Sequence, residues 1–482
     1  MKSKEPGLIP SLLPLVFLII ILSFNVKFFG DDTLAGSNQM ALIFAAALAA
    51  IIASIYGFKW VKLRDGVVKS IGSAMPSILI LFLIGSLAGT WMISGVIPSL
   101  IYYGLKLLNP TIFLFASVII SALVSIATGS SWSTVATIGI ALLGIGKALG
   151  ISEGIVAGAI ISGAYFGDKM SPMSDTTNLA PAMAGTDLFT HIRYMVYTTF
   201  PSIVITLVIF LIMGFTLDMD GNSSQVEEVL LILEQNFNIN PLLFLVPAFL
   251  IFIIVKKVSP VPALLAAAVL GGVFAIIFQP EIIRTVSGIS DNYLKASYIA
   301  VIKSMYGPVS VETSMASVNE LLATRGMAGM LNTIWLIIAA MVFGGVMESS
   351  GMLFKITNSV IKYVKSTVGL VSSTVATCLF FNITASDQYI AIVVPGRMYA
   401  KAYKDQNLKP EVLSRALEDS GTVTSVLVPW NTCGATQAGV LGVSTFAYAP
   451  FAFFNIISPF MSIFMAAFNI KIRRISKDKR LK

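Results

Sequence analysis

The sequence predicts an all-α polytopic membrane protein made of two inverted-topology repeats, with broken helices and re-entrant hairpins at its centre. Three observations predict it. The 482 residues are 56% hydrophobic and only 12% charged, with a mean hydropathy of +0.86, whereas a soluble domain is about a quarter charged. Apolar windows of about twenty residues recur, the length of a bilayer-crossing helix rather than of a barrel strand. Polar runs interrupt four of the apolar stretches, and these interruptions coincide when the chain is shifted by 256 residues.

In chain order, spans are predicted over 8–29, 37–58 and 74–98. A longer stretch, 111–149, is interrupted at 127–131, and a broken span over 153–184 and a span over 197–217 follow. Residues 1–217 thus form the first repeat. Segment 218–239 carries Asp218, Asp220, Glu227, Glu228 and Glu234 without Lys or Arg, and is expected to be an acidic extracytoplasmic linker. The second repeat, 240–470, has spans over 240–256, 260–278 and 328–349, an interrupted stretch 367–399, a polar-centred span 412–441 and a last span 447–469. Segments 281–305 and 353–366 are amphipathic and expected to lie along the interface. Residues 471–482 form a basic tail.

The stretch 367–399 is short for two spans and a turn, which favours hairpins for at least part of each interrupted stretch. Counted as hairpins, they leave five crossings per half and both termini on one side. With the N-terminus inside, 24 Lys and Arg fall on the cytoplasmic side and 7 outside, while Lys169 lies in the broken span. That asymmetry is the one the positive-inside rule requires. It assigns the net charge of +8 to cytoplasmic loops rather than to nucleic-acid binding. The N-terminal apolar run is long enough to span, so no cleavable signal is expected.

The 256-residue shift superposes Gly89 on Gly345, Ser94-Gly95 on Ser350-Gly351, Thr128–Ser131 on Thr384–Asp387, and Asp175-Thr176 on Asn431-Thr432. An odd number of crossings reverses the second copy in the membrane. Inverted repeats are common in secondary transporters, whose sites lie at the midplane between discontinuous helices.

The densest polar run is Asp168-Lys169-Met-Ser171-Pro172-Met-Ser174-Asp175-Thr176-Thr177-Asn178. Ionisable groups at bilayer depth are costly and normally face a cavity or a partner, and proline breaks the helix there. Four breaks result, at Thr128–Ser131, Ser171–Asn178, Thr384–Asp387 and Pro429–Thr432. Each exposes carbonyls at one half-helix end and N–H groups at the other. Carboxylates, hydroxyls and carbonyls suit a hard cation, although N–H ends also hold a carboxylate. Asp168, Asp175, Asp387 and Asp419 outnumber Lys169 in the core, which tilts the choice toward a cation.

Competing structural roles stand beside these. Asp168 and Lys169 can form a pair, Asp175 and Asp387 can cap half-helices, Asp419 can be interfacial, and Glu348 can close its span. His191 is the only histidine, which excludes His-cluster metal sites, and no HExxH or GxSxG motif points to an intramembrane enzyme. Cys378 and Cys433 lack metal-ligand spacing and read as packing residues.

Gly129-Ser-Ser-Trp-Ser-Thr134, the run Gly158–Pro181, Gly185-Thr-Asp-Leu-Phe-Thr-His-Ile-Arg193 and the run Asp419–Gly434 resemble the NhaC family of Na⁺/H⁺ antiporters. The resemblance covers most of the chain. It implies the ion-transporter superfamily fold with elevator-type movement and no cofactor beyond the transported Na⁺ and H⁺. It also implies a bacterial-type plasma membrane location, and by analogy a homodimer. Binding is then expected at Thr128, Ser130, Ser131, Asp168, Ser174, Asp175, Thr176, Thr177, Asn178, Thr384, Ser386, Asp387, Asn431 and Thr432. Asp175, Asn178, Ser131 and Asp387 are the candidate Na⁺ ligands, and Asp175 the first candidate for exchanging a proton for Na⁺. Similar family members exchange malate for lactate together with Na⁺ and H⁺, which is the alternative expectation.

Overall fold

The computed structural model describes residues 6–29, 36–216, 223–313, 315–361, 364 and 366–475. Expectations for 1–5, for Lys362 and Lys365, and for the end of the basic tail fall outside them. Among the described residues, nine helices are long and apolar enough to cross a membrane.

The first half opens with Leu8–Phe29, Ser37–Ile55 and Trp60–Ile93. The third begins well before the predicted 74 because Lys62, Arg64, Asp65 and Lys69 depress the hydropathy of its first turns without breaking the helix. Its 34 residues are about 50 Å long, more than a hydrocarbon core needs, so this charged, exposed start projects beyond it. Val96–Leu107 then leads to the first hairpin, with arms Phe113–Thr128 and Ser131–Ala148. Gly129 closes the first arm at φ 68°, and a Cβ there would lie 2.7 Å from the Met173 Cβ. Only glycine meets both demands cheaply.

The broken helix follows as Glu153–Met170 and Asp175–Ala184, and Leu188–Thr216 completes the half. The break falls where Pro172 removes a donor and restricts Ser171. Glu153–Met170 packs closely on the first hairpin arm. A Cβ on Gly163 would lie 2.2 Å from the Val118 carbonyl oxygen, and one on Gly167 2.4 Å from that of Ala122.

In the second half, Pro260–Phe278 and Met327–Ser349 span. The interrupted stretch is Thr367–Thr384 and Gln388–Asp405. It runs six residues past the expected end at 399. Tyr399 and Tyr403, one turn apart and buried, keep the polar end helical, and each arm is 18 residues. The polar-centred span is Pro410–Leu417, a π-helical segment Glu418–Thr422, a break, and Thr432–Leu441; Phe453–Ala467 ends the bundle. The half-helices Asp175–Ala184 and Thr432–Leu441 start 257 residues apart, and the arms ending at Thr128 and Thr384 end 256 apart.

Within the expected linker 218–239, of which 218–222 fall outside the described residues, Ser223–Asn236 is a helix with Val229, Ile232 and Leu233 buried. Their i, i+3, i+4 spacing packs it against the bundle, a pattern masked by the acidic composition. The span predicted at 240–256 is only Pro241–Val255, which meets Val226–Asn236 at 90°. At about 22 Å it falls short of a full crossing. The amphipathic segments expected over 281–305 and 353–366 contain the short helices Pro280–Ser287, Tyr293–Tyr306 and Met352–Ile361.

A candidate ion site between a hairpin tip and a helix break

A cavity of about 780 Å³ reaches the first hairpin tip and the first helix break. Lys257, Ser259, Ser73 and Pro76 lie along it, and Thr128, Gly129, Ser130, Asp168, Ser174, Asp175, Thr176 and Asn178 line it further. Residues 37 and 45 positions apart in the chain meet here because the hairpin arm and the broken helix share the glycine contact described above.

Asp168 is the centre of this contact. Its Oδ2 accepts the Ser131 backbone N–H at 3.0 Å and the Ser131 hydroxyl at 2.6 Å. The N-terminus of the second arm thus points at a carboxylate, as the helix dipole favours. The tip is internally tied: Ser130 Oγ accepts the Ser133 N–H at 3.2 Å, and the Thr134 hydroxyl donates to the Ser130 carbonyl at 2.9 Å. Ser171 Oγ donates to the Ile126 carbonyl at 2.9 Å, joining the break to the arm. Asp175 and Asn178 are exposed to the cavity in the first turn of Asp175–Ala184, and the Asn178 amide donates to the Ser174 carbonyl at 2.7 Å. Thr177 faces the other way and donates to the Lys169 carbonyl at 3.0 Å, capping the first half-helix. Thr176 lines the cavity, but its hydroxyl donates to Glu418 Oε1 at 3.0 Å.

The second tip and second break meet each other, but none of their predicted residues lines the cavity. Thr384, Ser386, Asp387, Asn431 and Thr432 are all buried. Asp387 Oδ1 accepts the Ile390 N–H at 3.0 Å, the capping role weighed against ligation. Asn431 Oδ1 accepts the Cys433 N–H at 3.0 Å, and its amide donates to the Asn382 carbonyl at 3.0 Å. The Thr432 N–H donates to the Ser386 carbonyl at 2.9 Å, and the Thr384 hydroxyl donates to the Phe380 carbonyl at 2.7 Å. This half reaches the cavity through Gln388 and Tyr389, which sequence reasoning missed. Asn431→Ala removes a cap and a cross-strut together. It is expected to cost about 1–3 kcal/mol, read as earlier thermal unfolding in detergent.

The buried charges also rearrange the expectation. Lys169 does not pair with Asp168. It makes a salt bridge with Asp419, and both side chains are fully buried. Asp419 also accepts the Ser462 hydroxyl, so it is not interfacial, whereas Glu348 is exposed. Glu418 is fully buried as well. Lys169 among surplus carboxylates was the available signal for a pair, but its partner lies 250 residues away.

A helical membrane protein whose polar centre is a hairpin tip against a broken helix has the architecture of a secondary transporter. The chain belongs to the Na⁺/H⁺ antiporter family, which it matches over residues 163–470. It is 36% identical over 449 residues to the malate-2H⁺/Na⁺-lactate antiporter of Bacillus subtilis, covering 92% of this chain and 90% of that one. It is 33% identical over 471 residues to the Na⁺/H⁺ antiporter NhaC of Alkalihalophilus pseudofirmus, covering 98% and 97%. The arginine/ornithine antiporter ArcD of Halobacterium salinarum is 33% identical over 466 residues, covering 96% and 92%.

Proposed function

We propose that the protein is a secondary active antiporter that exchanges Na⁺ for H⁺ by alternating access. The observation that carries this reading is Asp168, a carboxylate lining the cavity and held by the Ser131 N–H and hydroxyl. Carboxylate, hydroxyl and tip carbonyl oxygens form a hard-ligand set suited to Na⁺. A carboxylate that takes either Na⁺ or a proton couples the two by competition. Asp168 and Ser131 form the centre of the proposed site, Thr128, Ser130, Asp175 and Asn178 complete its cavity wall, and the second tip and break hold the frame.

The proposal extends to two inverted repeats moving in elevator fashion in a bacterial plasma membrane, with both termini cytoplasmic, no cofactor, and a homodimeric assembly. A second reading, Na⁺-coupled exchange of malate and lactate, is favoured by the cavity volume, about 780 Å³, far more than a bare cation needs. Membrane vesicles with a pH-sensitive dye decide between them. Na⁺ alone is expected to move protons. Proton movement only after malate or lactate is added, with labelled malate entering loaded vesicles, establishes the second reading instead. Proton movement under neither condition overturns both.

A further inference from the structure

We propose that the Lys169–Asp419 ion pair positions Asp168 in the ion site, setting cargo affinity rather than holding the fold together. This rests on the reading of Asp168 as the cargo carboxylate.

Consecutive helix residues point about 100° apart. Asp168 is turned to the Ser131 tip, while Lys169 is turned to the other half of the chain, where Asp419 receives it. Any rotation of the last turn of Glu153–Met170 moves both side chains together. The salt bridge therefore sets the angle at which Asp168 meets the tip.

The turn needs such a pin, because it ends at a helix break. Thr177 ties it to the first half at the Lys169 carbonyl and Ser171 at Ile126, and the Phe166 ring meets the Phe454 ring of the last helix edge-on. The salt bridge crosses to the π-helical segment Glu418–Thr422. There, consecutive residues serve the opposite half, Glu418 accepting from Thr176 and Asp419 from Lys169. Single-turn π segments occur frequently at functional sites. Asp419 is fixed in turn by the Ser462 hydroxyl on the last helix, and the Lys169 ammonium lies 5.7 Å from the centre of the Phe454 ring. The pin thus refers the position of Asp168 to two elements of the second half, Glu418–Thr422 and Phe453–Ala467.

A buried ion pair is weak evidence of stabilisation. Desolvating two charges offsets their attraction, and well-packed apolar residues of similar volume often replace such a pair without loss. The role proposed for this pair is therefore the orientation of Asp168.

The test is the double variant K169M/D419L, with Asp419→Asn beside it. The scan of vesicles carrying the unaltered protein comes first, since it tests the functional reading alone and identifies the exchanged cargo. For that cargo, K169M/D419L is expected to unfold at or above the temperature of the unaltered protein in detergent. Its KM rises about tenfold or more, with turnover at saturation reduced much less, because ground-state positioning has been lost. D419N keeps the shape and a hydrogen bond to Ser462, and is expected to raise KM in the same direction. An unchanged KM in either variant, once inserted, overturns the proposal. So does a K169M/D419L protein that is destabilised while its inserted fraction keeps normal KM, for the pair is then structural.

Discussion

Asp168→Asn is expected to abolish cargo-dependent proton movement, lowering the rate at least about a hundredfold while the protein still inserts. Asparagine has nearly the same shape, and its carbonyl oxygen can accept both Ser131 donors, now at 3.0 and 2.6 Å. The tip and the helix break therefore stay together. What disappears is the negative charge and the group that exchanges a proton for a cation, and a neutral amide replaces neither. Loss of a charge-assisted ligand in a low-dielectric site outweighs what neighbouring hydroxyls supply. Asp175→Asn is expected to act in the same direction but less, because Asp175 is exposed to the cavity in the first turn of its half-helix. Dequenching of a pH dye in everted vesicles measures both, with insertion checked by immunoblot. Rates for D168N equal to those of the unaltered protein would remove Asp168 from the mechanism and leave Asp175 to carry it.

That ordering of two aspartates shows where the sequence could and could not be read. The spans were legible because bilayer thickness imposes a length, and the breaks because Pro172, Pro429 and the polar runs cannot continue an apolar helix. Helices end at Thr128 and at Thr384, the two positions that the 256-residue offset superposes. Helix ends with mixed character were not legible: Trp60–Ile93 and Gln388–Asp405 run on through charged residues that a hydropathy window treats as loop. The site was legible as a set of polar residues, but not as an allocation of roles. Capping and ion ligation draw on the same side chains, and only geometry separates Asp387, whose Oδ1 caps Gln388–Asp405 at Ile390, from Asp168, which lines the cavity. Gln388 and Tyr389 were missed because their neighbour Asp387 had the more conspicuous charge. The partner of Lys169 was invisible for another reason, since no local pattern encodes a contact across 250 residues.

Gly167→Val is expected to damage both the fold and the exchange, although Gly167 lies outside the polar residues. A Cβ at Gly167 would stand 2.4 Å from the Ala122 carbonyl oxygen, 2.6 Å from the Ser125 Cβ and 2.8 Å from the Ile126 backbone nitrogen. Two of these are backbone atoms of a continuous helix, so no side-chain rotation relieves the clash. The arm Phe113–Thr128 must move away from Glu153–Met170. Small residues let helices in a membrane approach this closely, and close packing is their main source of association there. Overpacking at such a contact costs about 3 kcal/mol or more. The displacement also falls one residue from Asp168 and within one turn of the Thr128 tip, so it separates the carboxylate from Ser131. The fraction that does fold is therefore expected to exchange at least about tenfold more slowly. Gly72→Ala is the control, since an added Cβ there meets nothing within 4 Å, and alanine is the better helix former. Thermal unfolding in detergent and dye dequenching in vesicles read the two consequences separately. A Gly167→Val protein with unaltered thermal stability and exchange would mean that the arm and the broken helix do not meet through these glycines. The tip could not then be held against Asp168 in the way described.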